Sequence, residues 1–306
     1  MSVTASPTTP PSARITVAWL GLLCGVAAAV LFAGKAVLVR LAYAHGADPT
    51  ALLALRMALS LPCFALAAWW FARRDGPLPV GDRVRLLALG VLGYHVASWL
   101  DFAGLRHIDA ALERVVLFLY PTLIAVAAIV RGRESATARF LLTLAATYGG
   151  ILLTWGDRLA VGGFHATAVG VGLVAASAVA FAAYMVLGED LIRRIGGLRA
   201  AAVAMTGACV TTAVHGLVAT PGALLHPTPA VFGLGAALAV LATVIPVFLA
   251  GLAVQHLGAA RAAIVGCIAP ALTALLAWAL VGERLGMLGW LGIAVTMAGA
   301  WFAARR

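Results

Sequence analysis

The chain repeats itself. Displaced by 149 positions without a gap, His107 falls on His256, Pro121 on Pro270, Glu134 on Glu283 and Phe32 on Phe181. Between His107 and Glu134, nine of 28 positions are identical to their displaced counterparts, among them Ala110/Ala259, Ala111/Ala260, Val116/Val265 and Leu123/Leu272. Each copy carries enough apolar residues for several membrane spans. Duplicated membrane halves that face opposite ways are a common plan of secondary transporters, because pseudo-symmetric halves can rock between two equivalent states.

Composition points the same way. Apolar residues make up 63% and charged residues 10% of the chain, against roughly half and about a quarter in soluble domains. The net charge of +10 comes from 20 Arg and a single Lys, scattered at the ends of apolar runs, which argues against nucleic acid as a partner. Cys24, Cys63, Cys209 and Cys267 each sit singly in an apolar run, so neither a disulfide framework nor a metal site is expected. Residues 1–16, rich in Ser, Thr and Pro toward the start, read as a disordered tail and not a signal sequence, since the first apolar run is too long for a cleaved h-region.

A helix needs about 20 apolar residues to cross the hydrocarbon core. Arg, Gly, Pro and Asp cut the chain into ten such runs, near 17–40, 50–72, 85–105, 110–130, 136–156, 168–189, 198–219, 230–254, 259–281 and 285–304. The expected fold is an all-α membrane protein of ten transmembrane helices, with one five-helix half over 17–156 and a second over 168–304. Five is odd, so each helix and its counterpart cross in opposite directions. The repeat is inverted.

Lys and Arg near the span ends set the orientation. With the N-terminus inside, the cytoplasmic face collects Arg14, Arg73, Arg74, Arg83, Arg85, Arg131, Arg133, Arg139, Arg193, Arg194, Arg199, Arg261, Arg305 and Arg306, and the outer face Arg40, Arg106, Arg114, Arg158 and Arg284. Both termini are expected in the cytoplasm of a bacterial inner membrane protein.

The residues also resemble a known group, the drug/metabolite transporter superfamily in its ten-helix form with two EamA domains. DPTALLALRM from Asp48 to Met57, containing Arg56, is similar to the start of that family's second helix. LGAARAAIVGCIAPALTALLAWALVGER from Leu257 to Arg284 resembles its most recognisable signature, a small-residue turn, a helix with a central Pro and a closing Gly-Glu-Arg. The first copy departs from that pattern, with Glu113 and Arg114 at positions usually small or apolar and RGRE in place of Gly-Glu. The resemblance implies ten helices and export or exchange of small metabolites, without naming the solute.

The two copies disagree in their charges. Lys35, Arg56, Asp101, Glu113 and Arg114 lie in the first four spans, whereas the displaced positions hold Tyr184, Met205, Ala250, Ala262 and Ala263. At 1.5 Å of rise per residue each lies roughly 7 to 10 Å from its span's centre, all toward the outer face. Ionisable groups at that depth are costly unless paired or facing a wet cavity. They are expected to form either a permanent salt-bridge cluster that glues helices one to four together, or a gate or a proton and substrate site.

Tyr94, His95 and Trp99 stand in the third span, where aromatic and imidazole groups suit a cavity for an amphipathic solute. Tyr184 and Phe181 mirror Lys35 and Phe32 across the repeat, and Phe118 and Cys267 occupy equivalent positions before the helix prolines. Tyr94, His95, Trp99, Phe118 and Tyr184 are therefore the expected solute contacts. Pro121 and Pro270 each remove a backbone hydrogen bond near a span centre and are expected to kink their helices as hinges or as fixed bends. Glu134 and Glu283 are expected to cap the fifth and tenth spans, where a carboxylate favours the positive end of the helix dipole.

Enzyme chemistry has no support in the sequence, which contains no HExxH, GxSG or phosphate-binding Gly-Lys-Ser/Thr loop. The functional expectation is a secondary transporter that exports or exchanges small amphipathic metabolites, amino acids or related compounds, by alternating access around a central cavity. No cofactor is implied. The expected partners are a small-molecule solute and the lipid bilayer, with a homodimer left open. The competing reading is a membrane scaffold or sensor without transport.

Overall fold

A computed structural model of the protein describes residues 11–304 apart from 134, 136 and 163. Residues 1–10 of the expected tail, the cap Glu134, and Arg305 and Arg306 lie outside the described residues. Among the described residues ten helical spans follow in order: α1 (Pro11–Ala44), α2 (Pro49–Asp75), α3 (Val80–Gly104), α4 (Ala110–Val130), α5 (Ala138–Gly162), α6 (Phe164–Ile195), α7 (Gly197–Ala219), α8 (Pro229–Leu257), α9 (Ala259–Gly266 and Ala269–Val281) and α10 (Met287–Ala304). A five-residue helix, Pro221–Leu225, lies between α7 and α8.

Among the described residues eight helices are long and apolar enough to cross a membrane, and Met287–Phe302 is a shorter apolar one. Several helices outrun the apolar stretches that announce them; α1 begins at Pro11 and α6 continues through Arg193 and Arg194 to Ile195. Hydropathy marks where the chain enters lipid, whereas a helix ends where the backbone turns, as at Gly196 with φ +90°.

The packing is two-fold. α2 packs on α7 and α5 on α10, each against its own repeat partner, while α1 against α8 is matched by α6 against α3, and α1 against α9 by α6 against α4. One core cluster joins α1, α2, α3, α7 and α8 through Val37, Leu52, Met57, Phe102, Met205 and Leu238. A second joins α4, α5, α6, α9 and α10 through Leu112, Val116, Ile151, Val174, Ala274 and Ile293. Trp19, Leu23, Leu66, Trp69, Trp278 and Leu280 remain exposed on the outside of the bundle. Lipid is as apolar as they are, so helix association there rests on close packing of small residues. The α5–α10 contact shows it: a side chain at Gly150 would collide with Thr296 and Gly292, and one at Gly292 with Thr154 and Gly150.

Two pairs of backbone defects obey the same repeat. α4 breaks at Phe118, three residues before Pro121, and α9 breaks at Cys267 and Ile268, just before Pro270. Proline has no N–H to give and its ring crowds the preceding turn, so the helix opens on its N-terminal side. α3 and α8 each contain a wide π-helical segment, Val91–Val96 and Val240–Val244, whose starts are 149 residues apart. Such segments recur at functional sites.

Candidate functional site

Four of the five charges private to the first half meet. Lys35 Nζ on α1 stands 2.5 Å from Asp101 Oδ2 on α3 and 3.0 Å from Glu113 Oε1 on α4. Arg114 Nε lies 3.9 Å from Glu113 Oε2, and its Nη2 donates to the Phe32 carbonyl at 2.6 Å. Asp101, Glu113 and Arg114 are buried.

Local structure explains the convergence. Asp109 caps the start of α4 by accepting from Leu112 N at 2.8 Å, which places Glu113 and Arg114 in the first turns. Tyr43 donates to the Phe102 carbonyl at 2.6 Å and ties α1 to the end of α3 beside Asp101. Fully buried Ala33 and Ala36 leave room for α1 to approach. The groups of this network are not fully satisfied: Asp101 Oδ1, Glu113 Oε2 and Arg114 Nε are buried without a hydrogen-bond partner.

Arg56 stands apart from the other four. Its Nε donates to Thr243 Oγ1 in the π-segment of α8 at 2.6 Å, and its guanidinium lies 5.4 Å from the centre of the Phe102 ring. Among the described residues no carboxylate comes within 4 Å of it.

The aromatic residues divide into two groups. Tyr94 meets Tyr184 at 5.1 Å and Phe181 at 6.0 Å between ring centres, and Tyr120 of α4 joins Phe181 at 5.2 Å. A side chain at Gly93 would collide with Tyr184, so glycine lets α6 close on α3 there. His95 and Trp99 point elsewhere. The rings of His95 and His215 are joined Nε2 to Nδ1 at 3.0 Å, His95 Nδ1 lies 3.1 Å from Thr211 Oγ1, and Trp99, 36% exposed, donates to Thr50 Oγ1 at 3.2 Å. Neighbouring residues on a helix point roughly a quarter turn apart, in this π-helical stretch somewhat less than the α-helical ~100°, so Tyr94 and His95 serve different faces. Sequence reasoning missed Tyr120, Thr243 and His215; the last two acquire meaning only from helices more than 100 residues away.

Phe118 and Cys267 occupy the two helix breaks. Cys267 also borders a cavity of about 480 Å³ between α1, α9 and α10, lined by Val26, Ile264, Ile268, Met297 and Trp301. None of Lys35, Asp101, Glu113 and Arg114 lines that apolar cavity.

Glu283 does not cap α10, as its position suggested. α10 starts at Met287, and Glu283 instead accepts from Ala110 N at 3.0 Å, at the start of α4, and from Arg40 Nε at 3.1 Å. Gly282, with φ +73°, turns the chain so that Glu283 N bonds back to Ala277 O at 3.2 Å and the carboxylate swings toward α4. Burial and the charge of Asp109 push the Glu283 carboxyl above its ordinary range, against the pull of Arg40 and the Ala110 N–H. Asp109 also meets Arg158 Nε at 2.8 Å, so this end of the bundle carries a second, peripheral set of ion pairs.

Comparison with known proteins accords with this architecture. A protein named as an uncharacterized transporter, YcbK, from Bacillus subtilis (strain 168) is 31% identical over 231 residues, 72% of each chain. A solved crystal structure at 19% identity superposes with a TM-score of 0.65 over 92% of this chain and 96% of that one, a likeness of fold alone. The sequence profile of the EamA-like transporter family matches residues 19–156 and again residues 168–305. Matched twice end to end along a two-fold bundle of membrane-spanning helices, this chain belongs to the EamA-like transporter family and is a multi-pass membrane transporter.

Proposed function

We propose that the protein is a secondary transporter of the bacterial inner membrane, with both termini cytoplasmic, that exports or exchanges small amphipathic metabolites such as amino acids by alternating access. The observation that carries this reading is Lys35 shared between Asp101 and Glu113, an ion-pair network that ties α1, α3 and α4 together in one half of the repeat only. Alternating access needs each side to close in turn, and a buried network present in one half of the repeat only supplies such a closure on one side. With the proposed orientation it lies in the outer half and acts as the outer gate.

The rings of Tyr94, Tyr184 and Tyr120, with Phe118 at the break of α4, form the apolar wall against which a solute stacks. His95 and Trp99, turned toward α7 and α2, fasten α3 at its π-segment and in the turn that follows it. Pro121 and Pro270 mark the points about which α4 and α9 bend. Driving force comes from an ion or solute gradient, and Asp101 or Glu113 is the group suited to exchange a proton with the outer side.

The test is flux into proteoliposomes across a metabolite panel, with and without an imposed pH gradient. Saturable movement of one solute class supports the reading. A folded, correctly inserted protein that moves no member of the panel overturns it in favour of a scaffold or sensor.

A further inference from the structure

Arg56 has no use in the network described above, yet among the described residues it is the least compensated ion of the membrane interior. It lies six residues from the middle of α2, about 9 Å along the axis, within a hydrocarbon half-thickness of roughly 15 Å. It is 7% exposed, its Nη1 is sealed without a hydrogen-bond partner, and among the described residues no carboxylate lies within 4 Å. The other cations at this depth are served: Lys35 has two carboxylates and Arg114 has Glu113. A buried guanidinium in the membrane interior whose close contacts are one hydroxyl and one ring face, with Asp101 acting on it only from beyond 4 Å, is not a stabilising device. Its partner is to be sought among what passes through the protein.

The cover over Arg56 belongs to α8 and is built from a defect. Thr243, which accepts from Arg56 Nε, donates its own hydroxyl proton to Leu238 O at 2.8 Å, and Ser60 on α2 reaches the Arg56 carbonyl at 2.8 Å and the Ala239 carbonyl at 3.5 Å. These contacts fall on or beside the π-segment Val240–Val244, where the regular ladder of α8 is interrupted. A shift of that segment uncovers the guanidinium at the cost of a few hydrogen bonds. On the other side Phe102 carries the ring under Arg56, and the preceding residue, Asp101, holds a second orphaned atom, Oδ1.

Resting on the transporter reading, we infer that Arg56 is the receptor for a carboxylate of the transported solute. The charge tally decides against the alternative: Lys35, Arg56 and Arg114 face Asp101 and Glu113, so a solute carboxylate brings three against three, whereas a simple amine makes four against two. The planar fork of arginine matches a carboxylate in two parallel hydrogen bonds. The solute class is therefore compounds that carry a carboxylate: an organic acid balances the charges, an amino acid with its ammonium turned toward Asp101 leaves the count one positive as before, and a simple amine unbalances it further.

The experiment uses the full chain in nanodiscs and proteoliposomes with amino acids, their methyl esters and the corresponding decarboxylated amines. Free acids should raise the melting temperature and undergo counterflow, while ester and amine partners do neither. Arg56→Gln should abolish the preference for acids, and Arg56→Lys, which keeps charge but loses the fork, should weaken acid binding on the order of tenfold. Amines or esters that bind and move as well as acids overturn the inference and leave transport standing. Acids that bind without counterflow leave the site standing and overturn transport, and no binding or flux by any compound removes both. If the Gln variant does not insert, the Lys variant decides: unchanged acid affinity overturns the inference.

Discussion

Lys35 on α1 and Asp101 on α3 stand 2.5 Å apart, nitrogen to oxygen, 66 residues apart in sequence, with Glu113 of α4 on the same ammonium. Lys35→Met leaves two buried carboxylates facing each other and should cost about 3–5 kcal/mol of stability, read by thermal unfolding in detergent. Asp101→Asn and Glu113→Gln keep shape and remove a titrating group. They should flatten the pH dependence of flux while solute exchange persists. A retained wild-type pH profile with lost stability alone identifies the network as structural glue.

The carboxyl of Glu283 gives a pH effect with a definite sign. Its folded-state value is raised above the ordinary 4.5, chiefly by burial. Between that ordinary value and the raised one the unfolded chain has already released a proton that the folded protein still holds, so this group's contribution to stability falls as pH rises through the window. The difference in melting temperature between wild type and Glu283→Gln should therefore shift against the wild type on going upward from about pH 4.5. A difference that is flat with pH, or that shifts the other way, contradicts the assignment.

Tyr94 and Trp99 lie five residues apart on one helix and have different expected roles. Tyr94→Ala removes a ring from the cluster with Tyr184 and Phe181 and should lower flux strongly. Trp99→Ala loses one hydrogen bond to Thr50 and a half-exposed ring, so it should cost on the order of 1 kcal/mol and leave flux near wild type. The reverse pattern in the flux assay returns Trp99 to the cavity wall.

Pro121→Ala and Pro270→Ala restore an N–H donor at each break. If the breaks are working hinges, straightening them should slow turnover several-fold with little change in solute affinity. Equal turnover in both variants means that the bends only serve packing.

Reporter fusions after Arg194 and after Arg306 should both register in the cytoplasm, as the charge tally and five-span repeat require. A periplasmic signal at either site sinks the proposed orientation.

Ten helical spans, the repeat and its offset were legible in the sequence because they rest on local quantities: apolar run length, and residue identity at a fixed displacement. The five private charges were legible for the same reason, since comparing Lys35 with Tyr184 or Glu113 with Ala262 needs no coordinates. Partners were not. That Lys35, Asp101, Glu113 and Arg114 meet while Arg56 turns to Thr243, that His95 turns its back on Tyr94, and that Glu283 caps α4 instead of α10 depend on how each helix is rotated about its axis and which neighbour it faces. The paired π-segments escaped notice because one extra residue in a turn leaves no mark on hydropathy. In a bilayer nearly every face of a helix is apolar, so periodicity says little about rotation. Close packing at residues such as Gly93 and Gly150, and the need to pair buried charges, settle it in three dimensions.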